Sequence, residues 1–301
     1  PPPPPPPPPF FQAEDGIRDF LLSLVGSEMC IRDSRIPKAG RTSKGQPIVN
    51  LIQIQPGDKI HAVVPVREFS ADSYLAFATS LGVIKRTPLT DFSRPRQAGI
   101  RAINLLEDEY LVAVRETDGQ SDIIMASDSG MAIRFHEDDA RSMGRTARGV
   151  RGIALTQGQK VVGMVVVDRE ESEATLLSVT ENGYGKRTPL DDYRVQKRGG
   201  KGLITIKCSE RNGPLMGIRD TREGEELMVV TRNGIMIRIG LDSVSQQGRN
   251  TQGVRIINLK GDDLVGSIAK ISQEAVTGAE NDAEGLVEEP AETTGEDTPE
   301  T

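Results

Sequence analysis

The sequence lacks tryptophan and has little aromatic character, with 4% Phe, Tyr and Trp together. Its only cysteines, Cys30 and Cys208, are too few and too far apart for a disulfide framework or a zinc site, and only His61 and His136 could assist them. No apolar stretch approaches the length of a membrane span. These shortages argue against a disulfide-stabilised, metal-dependent or membrane-spanning protein and leave a reducing, cytoplasmic setting as the expectation.

Charge is distributed unevenly along the 301 residues. The formal net charge is −7, but residues 272–301 hold 10 acidic and no basic side chains. Residues 35–271 hold 29 acidic and 35 basic side chains, a net charge of +6. A basic body followed by an acidic tail predicts a polyanionic partner, with a tail that competes for the same surface.

The two ends differ from the body in composition. Pro1–Pro9 is a polyproline run that forms no core, and the rest of residues 1–34 shares no pattern with the body and resembles translated sequencing-adapter reads. We therefore predict that residues 1–34 are a non-native or disordered leader and that the natural chain extends upstream. The acidic tail, 272–301, is predicted to be disordered.

The body, 35–271, repeats a unit of about fifty residues, and two series of glycines mark it. Each glycine of the first series is followed four residues later by an arginine; these glycines are Gly82, Gly130, Gly183 and Gly234. Each glycine of the second series is followed six residues later by leucine or, once, by Cys208; these are Gly45, Gly99, Gly149, Gly202 and Gly253. Cys208 thus holds a position for a small buried apolar side chain rather than a reactive thiol.

Within each unit, short β-branched runs are separated by Gly, Asp, Asn or Pro, which is typical of strands and turns. About four strands in about fifty residues match one propeller blade. The predicted fold is all-β, a propeller-like β-pinwheel of about five recognisable four-stranded blades. Four units begin near Leu81, Ser129, Glu181 and Arg232, and the unit over 35–80 lacks its opening strand.

Basic residues recur at two positions of the unit. The first set, the opening-strand cations, consists of Lys85, Arg86, Arg134, Lys186, Arg187 and Arg238. The second set, the loop cations, precedes or follows the second glycine and consists of Arg94, Arg96, Arg145, Arg148, Arg151 and Arg249. Because the units are equivalent, both sets are expected to form a positive belt that neutralises the phosphates of bent duplex DNA. Glycines beside the cations are expected to let main-chain N–H groups approach phosphate oxygens.

One loop concentrates three cations and three glycines in the sequence "QKRGGKG". This box-like loop comprises Gln196, Lys197, Arg198, Gly199, Gly200, Lys201 and Gly202. Its spacing does not fit a nucleotide-binding G-x-x-x-x-G-K-[ST] loop, and "HEDD" (136–139) is expected to be a solvated loop rather than a metal cluster. Scarce aromatics also argue against stacking on single strands or RNA loops.

The segments "LGVIKRTPLTDFSRPRQAGIRAINL", "FHEDDARSMGRTARGVRGIAL" and "NGYGKRTPLDDYRVQKRGGKGLITIK" resemble the C-terminal domain of the bacterial DNA gyrase A subunit across 35–271. The resemblance implies a six-bladed β-pinwheel whose basic rim wraps DNA. The box-like loop is similar to the family's wrapping box, with Lys197 where arginine is usual. It lies in a later repeat than the family's functional box, which implies that the principal box is upstream.

The resemblance also implies partners and a reaction. They are duplex DNA, the rest of the gyrase A subunit and the gyrase B subunit, in an A2B2 type IIA topoisomerase of the bacterial cytoplasm that introduces negative supercoils by double-strand passage. ATP and Mg would act on parts outside this chain, which is expected to hold no cofactor. None of its tyrosines has the arginine–tyrosine context of the family's DNA-cleaving residue, so the chain alone is not expected to be catalytic.

Two alternatives remain open at this point. One is the corresponding domain of the topoisomerase IV A subunit, which usually has fewer or degenerate blades, whereas the repeats here are regular. The other is a β-propeller that serves as a protein-interaction scaffold without nucleic acid. A scaffold has no evident need for an arginine four residues after each opening glycine.

Overall fold

A computed structural model describes residues 19–24, 27–32, 47, 50, 60–66, 68–94, 100–170 and 173–271. Within these ranges the fold is built from strands, with short 3-10 helices at Leu89–Phe92, Glu137–Asp139, Leu190–Asp192 and Leu241–Ser243. In chain order the strands are β1 (Asp19–Leu24), β2 (Ser27–Arg32), β3 (Ile60–Val66), β4 (Tyr74–Thr79), β5 (Val83–Pro88), β6 (Ile100–Arg101), β7 (Leu111–Thr117), β8 (Asp122–Ser127), β9 (Met131–His136), β10 (Val150–Arg151), β11 (Val161–Val167), β12 (Thr175–Thr180), β13 (Tyr184–Pro189), β14 (Leu203–Ile204), β15 (Leu215–Thr221), β16 (Glu226–Thr231), β17 (Met236–Gly240), β18 (Val254–Arg255) and β19 (Val265–Ile271).

The strands form five separate sheets within the described ranges. Four are four-stranded, with orders β3-β1-β2-β6, β10-β5-β4-β7, β11-β8-β9-β14 and β15-β12-β13-β18, and the fifth is three-stranded, with order β17-β16-β19. We number these sheets one to five along the chain. The predicted all-β, propeller-like fold is confirmed.

Each sheet is assembled from consecutive repeats rather than from one. A hairpin such as β4–β5 pairs on one side with a later strand of its own repeat, β7, and on the other with β10, which belongs to the next repeat. The strands β3, β7, β11, β15 and β19 contact one another in sequence from sheet to sheet and so surround the axis. The two-residue strands lie at the opposite, outer edges of the sheets.

Apolar side chains on both faces of each hairpin form the core between neighbouring sheets. In β4, Leu75 and Phe77 pack with Val66 of sheet one, whereas Ala76 and Ala78 pack with residues of sheet three. Side chains alternate between the two faces of a strand, so a strand covered on both faces reads as a continuous apolar run. This is why β8, "DIIMAS", is buried at all of its positions.

The described glycines of the second series, Gly149, Gly202 and Gly253, lie where the outer strand crosses onto the preceding sheet. Gly253 has φ +76°, and a Cβ at this position would lie 2.8 Å from the carbonyl oxygen of Gly185. Only glycine accepts both the left-handed backbone and this close approach without strain. The glycine at this position therefore serves a contact between neighbouring repeats, whereas the sequence suggested an approach to phosphate.

Two boundaries differ from the sequence predictions. The sheets begin at the first hairpin strands, near Tyr74, Asp122, Thr175 and Glu226, before the predicted unit starts, because a repeat in sequence does not show where its structural unit begins. Segments 19–24 and 27–32, predicted to lie outside the fold, form the hairpin of sheet one, with β1 paired to β3 and β2 to β6. The non-native origin of 1–34 and the disorder of 272–301 stay predictions.

Candidate nucleic-acid interface

The two lysines of the opening-strand set are fully buried. Lys85 Nζ donates to the main-chain carbonyls of Ala102 and Arg145, and Lys186 Nζ donates to those of residues 248 and 249 at 2.5 and 2.6 Å. Arg145 and residues 248–249 belong to the repeat that follows each lysine, so both side chains join successive repeats. Burial lowers the pKa of Lys186 to about 8.

Arg86 forms a buried ion pair with an acid of the following repeat. Its Nη1 lies 3.1 Å from Glu137 Oε2 and 2.9 Å from Asp138 Oδ1, and its guanidinium carbon lies 4.4 Å from the centroid of the Tyr74 ring. Glu137 has no exposed side-chain surface and also accepts a 2.6 Å hydrogen bond from Thr117. The "HEDD" segment is therefore not a solvated loop as predicted, because its glutamate joins sheets two and three.

Arg134 has an equivalent role in sheet three. Its Nε lies 2.8 Å from Asp122 Oδ2, and its Nη1 donates to the main-chain carbonyl of Leu190 at 3.0 Å. Asp122 is buried and also contacts His136 Nδ1 at 2.5 Å and Arg169 Nε at 3.3 Å. The Arg134–Asp122 pair thus spans the β8–β9 hairpin of sheet three, and the bond to Leu190 joins it to the following repeat.

The last two opening-strand arginines are less buried but are also bonded to the protein. Arg187 Nε donates to the main-chain carbonyl of Val244 at 2.9 Å, and its side chain is half-buried. Arg238 is exposed and forms an ion pair with Glu226. Arg187 joins its strand to the following repeat, whereas Arg238 pairs across the β16–β17 hairpin.

These contacts change the assignment of the opening-strand set. A buried cation that is bonded to carboxylates or carbonyls can reach a phosphate only by breaking those bonds and being exposed to water. We therefore withdraw Lys85, Arg86, Arg134 and Lys186 as direct DNA contacts and assign them to the junctions between repeats. Recurrence at one repeat position here reflects a recurring structural need.

The loop cations lie on the outer edge of the sheets and are largely solvated. Arg94 and Arg151 are exposed, and no side-chain partner of either is present in the part of the chain that the structure describes. Arg148 is 45% exposed and lies 3.4 Å from Glu109 Oε2. Arg145 and Arg249 are half-buried and each donates to a main-chain carbonyl at 3.2 and 3.4 Å, respectively.

Arg96, the remaining member of the set, lies outside the described residues. The structure thus places five of the six loop cations along the outer edge, Arg151 in the two-residue strand β10 and the other four on loops that precede such strands. These five keep guanidinium surface open to solvent, in contrast to the opening-strand lysines.

The box-like loop leads into β14, the outer strand of sheet three, and is partly anchored. Arg198 donates to the main-chain carbonyls of Asp139 and Arg151 at 2.7 and 3.0 Å, and the main-chain N–H of Gln196 donates to the carbonyl of Arg134. Lys197 is 88% exposed and pairs with Asp139 at 2.9 Å. Lys201 is exposed, so the loop presents Lys197 and Lys201 to solvent on a fixed backbone.

Glycines shape this loop as well. Gly199 and Gly202 have φ values of +81° and +78°, and the main-chain N–H of Gly199 donates to the carbonyl of Gly152 at 2.6 Å. The carbonyl of Gly200 accepts a hydrogen bond from the N–H of Ala154 at 2.8 Å. These contacts join the loop to the preceding repeat, so its glycines have a structural role whatever the loop binds.

Sequence reasoning missed Arg101 and Arg211, two further exposed arginines, as candidate sites. Arg101 lies two residues after a second-series glycine, at the position that Arg151 and Arg255 occupy in their own repeats, and Arg211 lies in the loop before β15. The alignment on the second glycine, which places Arg255 among the basic residues of the loops, could also have identified Arg101. No sequence signal identifies Arg211, because its loop differs from those of the other repeats.

Arg115 on β7 and Arg219 on β15 are two further arginines, and both face the axis of the assembly rather than its rim. Burial and, to a smaller extent, the nearby Arg115 guanidinium lower the pKa of Arg219 to about 10, while Asp220 opposes the shift. Arg219 donates to the main-chain carbonyl of Ile268 at 2.6 Å, which ties sheet four to sheet five. Arg219 is thus structural as well.

In the described ranges, no helix is long and apolar enough to cross a bilayer. The same ranges contain no group of three or more His, Cys, Asp or Glu side chains that could hold a metal ion. Cys208, predicted to be a small buried apolar residue, is half-buried and packs against the core between sheets three and four, and burial raises the pKa of its thiol.

Comparison with known proteins agrees with the repeat and the sheets. The family model described as DNA gyrase C-terminal domain, beta-propeller, matches residues 34–67, 73–118, 121–168, 174–221 and 225–272. The DNA gyrase A subunit of Staphylococcus epidermidis is 44% identical over 245 residues, and that of Staphylococcus aureus is 44% identical over 246 residues. Each alignment covers 81% of this chain but only 27% and 28% of the relative's length, respectively.

Solved structures show the same architecture. A structure of the DNA gyrase A C-terminal domain matches with a TM-score of 0.73 and 26% identity, covering 87% of this chain and 89% of that one. The C-terminal domain of DNA topoisomerase IV matches with a TM-score of 0.79 and 21% identity, covering 89% and 84%, which shows a shared fold alone. On the family match and the 44% identity, this chain belongs to the family of the DNA gyrase C-terminal domain, the beta-propeller.

Proposed function

We propose that the outer edge of this β-pinwheel binds and wraps duplex DNA as the C-terminal part of a DNA gyrase A subunit. The observation that carries the proposal is the series of exposed cations on successive outer strands and their loops: Arg101, Arg148, Arg151, Lys197, Lys201 and Arg255. They recur at the edge of neighbouring sheets, so a duplex that follows the edge meets one after another.

The physical basis is the release of counterions from the duplex. Each phosphate neutralised by an arginine or lysine releases condensed cations, which makes binding strong, independent of sequence and steeply dependent on salt. Bending a site of 20–30 base pairs costs about 1–6 kcal/mol, so contacts must continue around the curve to offset it. A ring of equivalent edges supplies contacts at regular intervals, which suits a bent duplex.

In this proposal the chain serves a larger enzyme. The rest of the gyrase A subunit and the gyrase B subunit would form the A2B2 holoenzyme in the bacterial cytoplasm, which hydrolyses ATP and passes one duplex through another to introduce negative supercoils. The chain itself would present a duplex segment to that machinery and would hold neither ATP nor Mg. The corresponding domain of topoisomerase IV is the second candidate, and the 44% identity to gyrase favours the first.

Ligation of nicked circular DNA in the presence of the purified 301-residue chain tests the proposal. Chiral wrapping is expected to shift the linking number of the ligated circles in proportion to protein, with an affinity that falls as salt rises. Binding without a shift would contradict wrapping but retain an electrostatic DNA surface. No binding at low salt would contradict the whole proposal and favour a protein-interaction scaffold.

A further inference from the structure

Tyr184 lies between two arginines on the outer edge of sheet four. Its hydroxyl accepts a hydrogen bond from Arg255 Nη2 at 2.9 Å and one from Arg211 Nε at 3.3 Å. The guanidinium carbons of Arg255 and Arg211 lie 5.4 and 5.0 Å, respectively, from the centroid of the tyrosine ring. One phenol thus holds two cations by both its oxygen and its ring.

Within the described part of the chain, neither arginine is paired with an acid. Across the described residues, no carboxylate lies within 4.0 Å of either guanidinium, whereas Arg86 contacts two carboxylates and Arg134 contacts one. Arg211 and Arg255 are exposed, while Tyr184 beneath them is only 4% exposed. Two unneutralised cations at one phenol repel each other, and an anion that contacts both would remove this repulsion.

The arrangement is specific to one repeat. In sheet two the equivalent pair is Val83 opposite Arg151, and in sheet three it is Met131 opposite Ile204. Among the described strand pairs, only sheet four places an aromatic residue with a hydroxyl opposite the outer-strand arginine, in the pair Tyr184–Arg255. The repeat scaffold alone therefore does not account for the cluster.

The backbone on both sides of the cluster is held in place. The Asn182 amide donates to the main-chain carbonyl of Arg211 at 3.2 Å. Asn212, which is fully buried, donates to the main-chain carbonyls of Lys207 and Gln252, each at 3.1 Å. Gln252 lies three residues before Arg255, so Asn212 couples the loop of one arginine to the strand of the other.

We propose that Arg211 and Arg255, held by Tyr184, form a clamp that binds one phosphate group of the DNA backbone. Each guanidinium uses one N–H on the phenol oxygen and retains others that can donate to phosphate oxygens. The same two hydrogen bonds lower the pKa of the Tyr184 hydroxyl, and the bond from Arg211 has the larger effect. This inference rests on the proposed function, because it names a phosphate contact within the same outer edge.

A double-mutant cycle on duplex binding by the full 301-residue chain tests the clamp. We expect Arg211→Gln and Arg255→Gln each to weaken binding about 3- to 10-fold, which corresponds to the net contribution of one typical hydrogen bond. Because both hold one phosphate, the double variant should be little weaker than either single one. The control cycle of Arg211→Gln with Arg151→Gln, which lies in another sheet, should give the product of the single effects.

Tyr184→Phe is the sharper variant because it keeps the ring and removes no charge. We expect it to weaken duplex binding about 3-fold at an unchanged unfolding midpoint, since the arginines lose their common acceptor. If this variant does not fold, the cycle on the two exposed arginines decides alone. Unchanged binding by Tyr184→Phe, or independent effects of Arg211 and Arg255, would overturn the clamp while the unaltered chain still binds DNA.

Two further measurements test the source of the phosphate and the proposed function separately. The side-chain Nε NMR signals of the two arginines should shift when a duplex oligonucleotide is added. They should not shift when inorganic phosphate is added at the same concentration of phosphate groups. An equal shift with inorganic phosphate would overturn the assignment to DNA and indicate a free-phosphate site. Failure of the unaltered chain to bind any duplex would instead overturn the proposed function itself.

Discussion

The opening-strand cations and the cations of the loops near the second glycine have the same chemistry and the same repeat spacing, yet the fold gives most of them opposite environments. Lys85, Lys186 and Arg86 lie inside, bonded to carbonyls and to a buried glutamate, whereas Arg151 and Lys201 lie on the outer edge in contact with solvent. The inner set joins one repeat to the next. The outer set remains available for a polyanion.

The comparison shows that recurrence of a charged residue does not by itself indicate a ligand. A ring of repeats creates the same junction several times, and each junction needs polar side chains to satisfy the carbonyls of the crossing loop. A lysine with a long apolar stem and three donors can do this. Positive charge at a repeated position can therefore serve the fold or the partner, and burial distinguishes the two.

The largest expected effect is on stability and separates the two sets. Arg86→Met leaves Glu137 buried without its cation, which should lower the free energy of unfolding by about 3–5 kcal/mol. Arg151→Met, on the outer edge, should change it by less than about 0.5 kcal/mol. Urea denaturation followed by circular dichroism measures both. Equal stabilities would show that Arg86 is not a junction residue.

The next effect concerns the glycines at the junctions. Gly253→Ala forces a methyl group against the Gly185 carbonyl. We expect it to lower the free energy of unfolding by about 1–3 kcal/mol beyond the cost of placing alanine in a left-handed backbone. Gly158→Ala is the matched control, because Gly158 has φ +85° but no atom within 4 Å of the added Cβ. Similar thermal melting of the two variants would argue against a tight junction at Gly253.

A third prediction addresses the outer set through DNA binding. Replacing Arg151 and Lys201 by glutamine should lower the salt dependence of binding, log Kd against log salt, by about 0.9 for each lost phosphate contact. The unfolding midpoint should stay the same because neither side chain packs in the core. A salt titration by fluorescence anisotropy gives the slope. An unchanged slope would remove these two residues from the interface.

The last prediction is a pH dependence that belongs to the inner set. The pKa of Lys186 is lowered to about 8 in the folded chain, from about 10.4 in an unfolded one, so between these values the unfolded state binds more protons. The stability contribution of Lys186 should therefore rise with pH from about 8 to about 10.4. Lys186→Met should lack this rise. Urea midpoints of both proteins over this range check the difference.

Much of the fold was predictable from particular residues. Repeated glycines and β-branched runs predicted an all-β propeller-like architecture because turns and strands have distinctive compositions. The second-series glycine predicted a special backbone position, but the sequence could not show that the neighbour of Gly253 is the carbonyl of Gly185 rather than a phosphate. The hairpin of sheet one was missed because its two strands share no residue pattern with the later hairpins.

The candidate site was predictable only in part. The loop cations and the box-like loop were identified by their alignment on the second glycine; the described ones lie on the outer edge, and their contact with DNA stays a prediction. Arg86 and Arg134 were assigned to the wrong surface because their carboxylate partners, Glu137 and Asp122, lie 51 and 12 residues away in sequence. Arg211 was missed because nothing local connects it with Tyr184.

The sequence by itself determined the repeat, the strand-rich fold, the basic body and the family resemblance, since each depends on local composition and periodic spacing. The tertiary structure alone decided which cations are inside, because burial depends on which loop of the next repeat covers a given side chain. A two-residue strand such as β10 or β18 pairs with the sheet of the preceding repeat. The loop before this strand thereby covers an opening-strand lysine, and Arg151 and Arg255 remain at the outer edge. Exposure therefore follows from the exchange of strands between repeats, which no single repeat encodes.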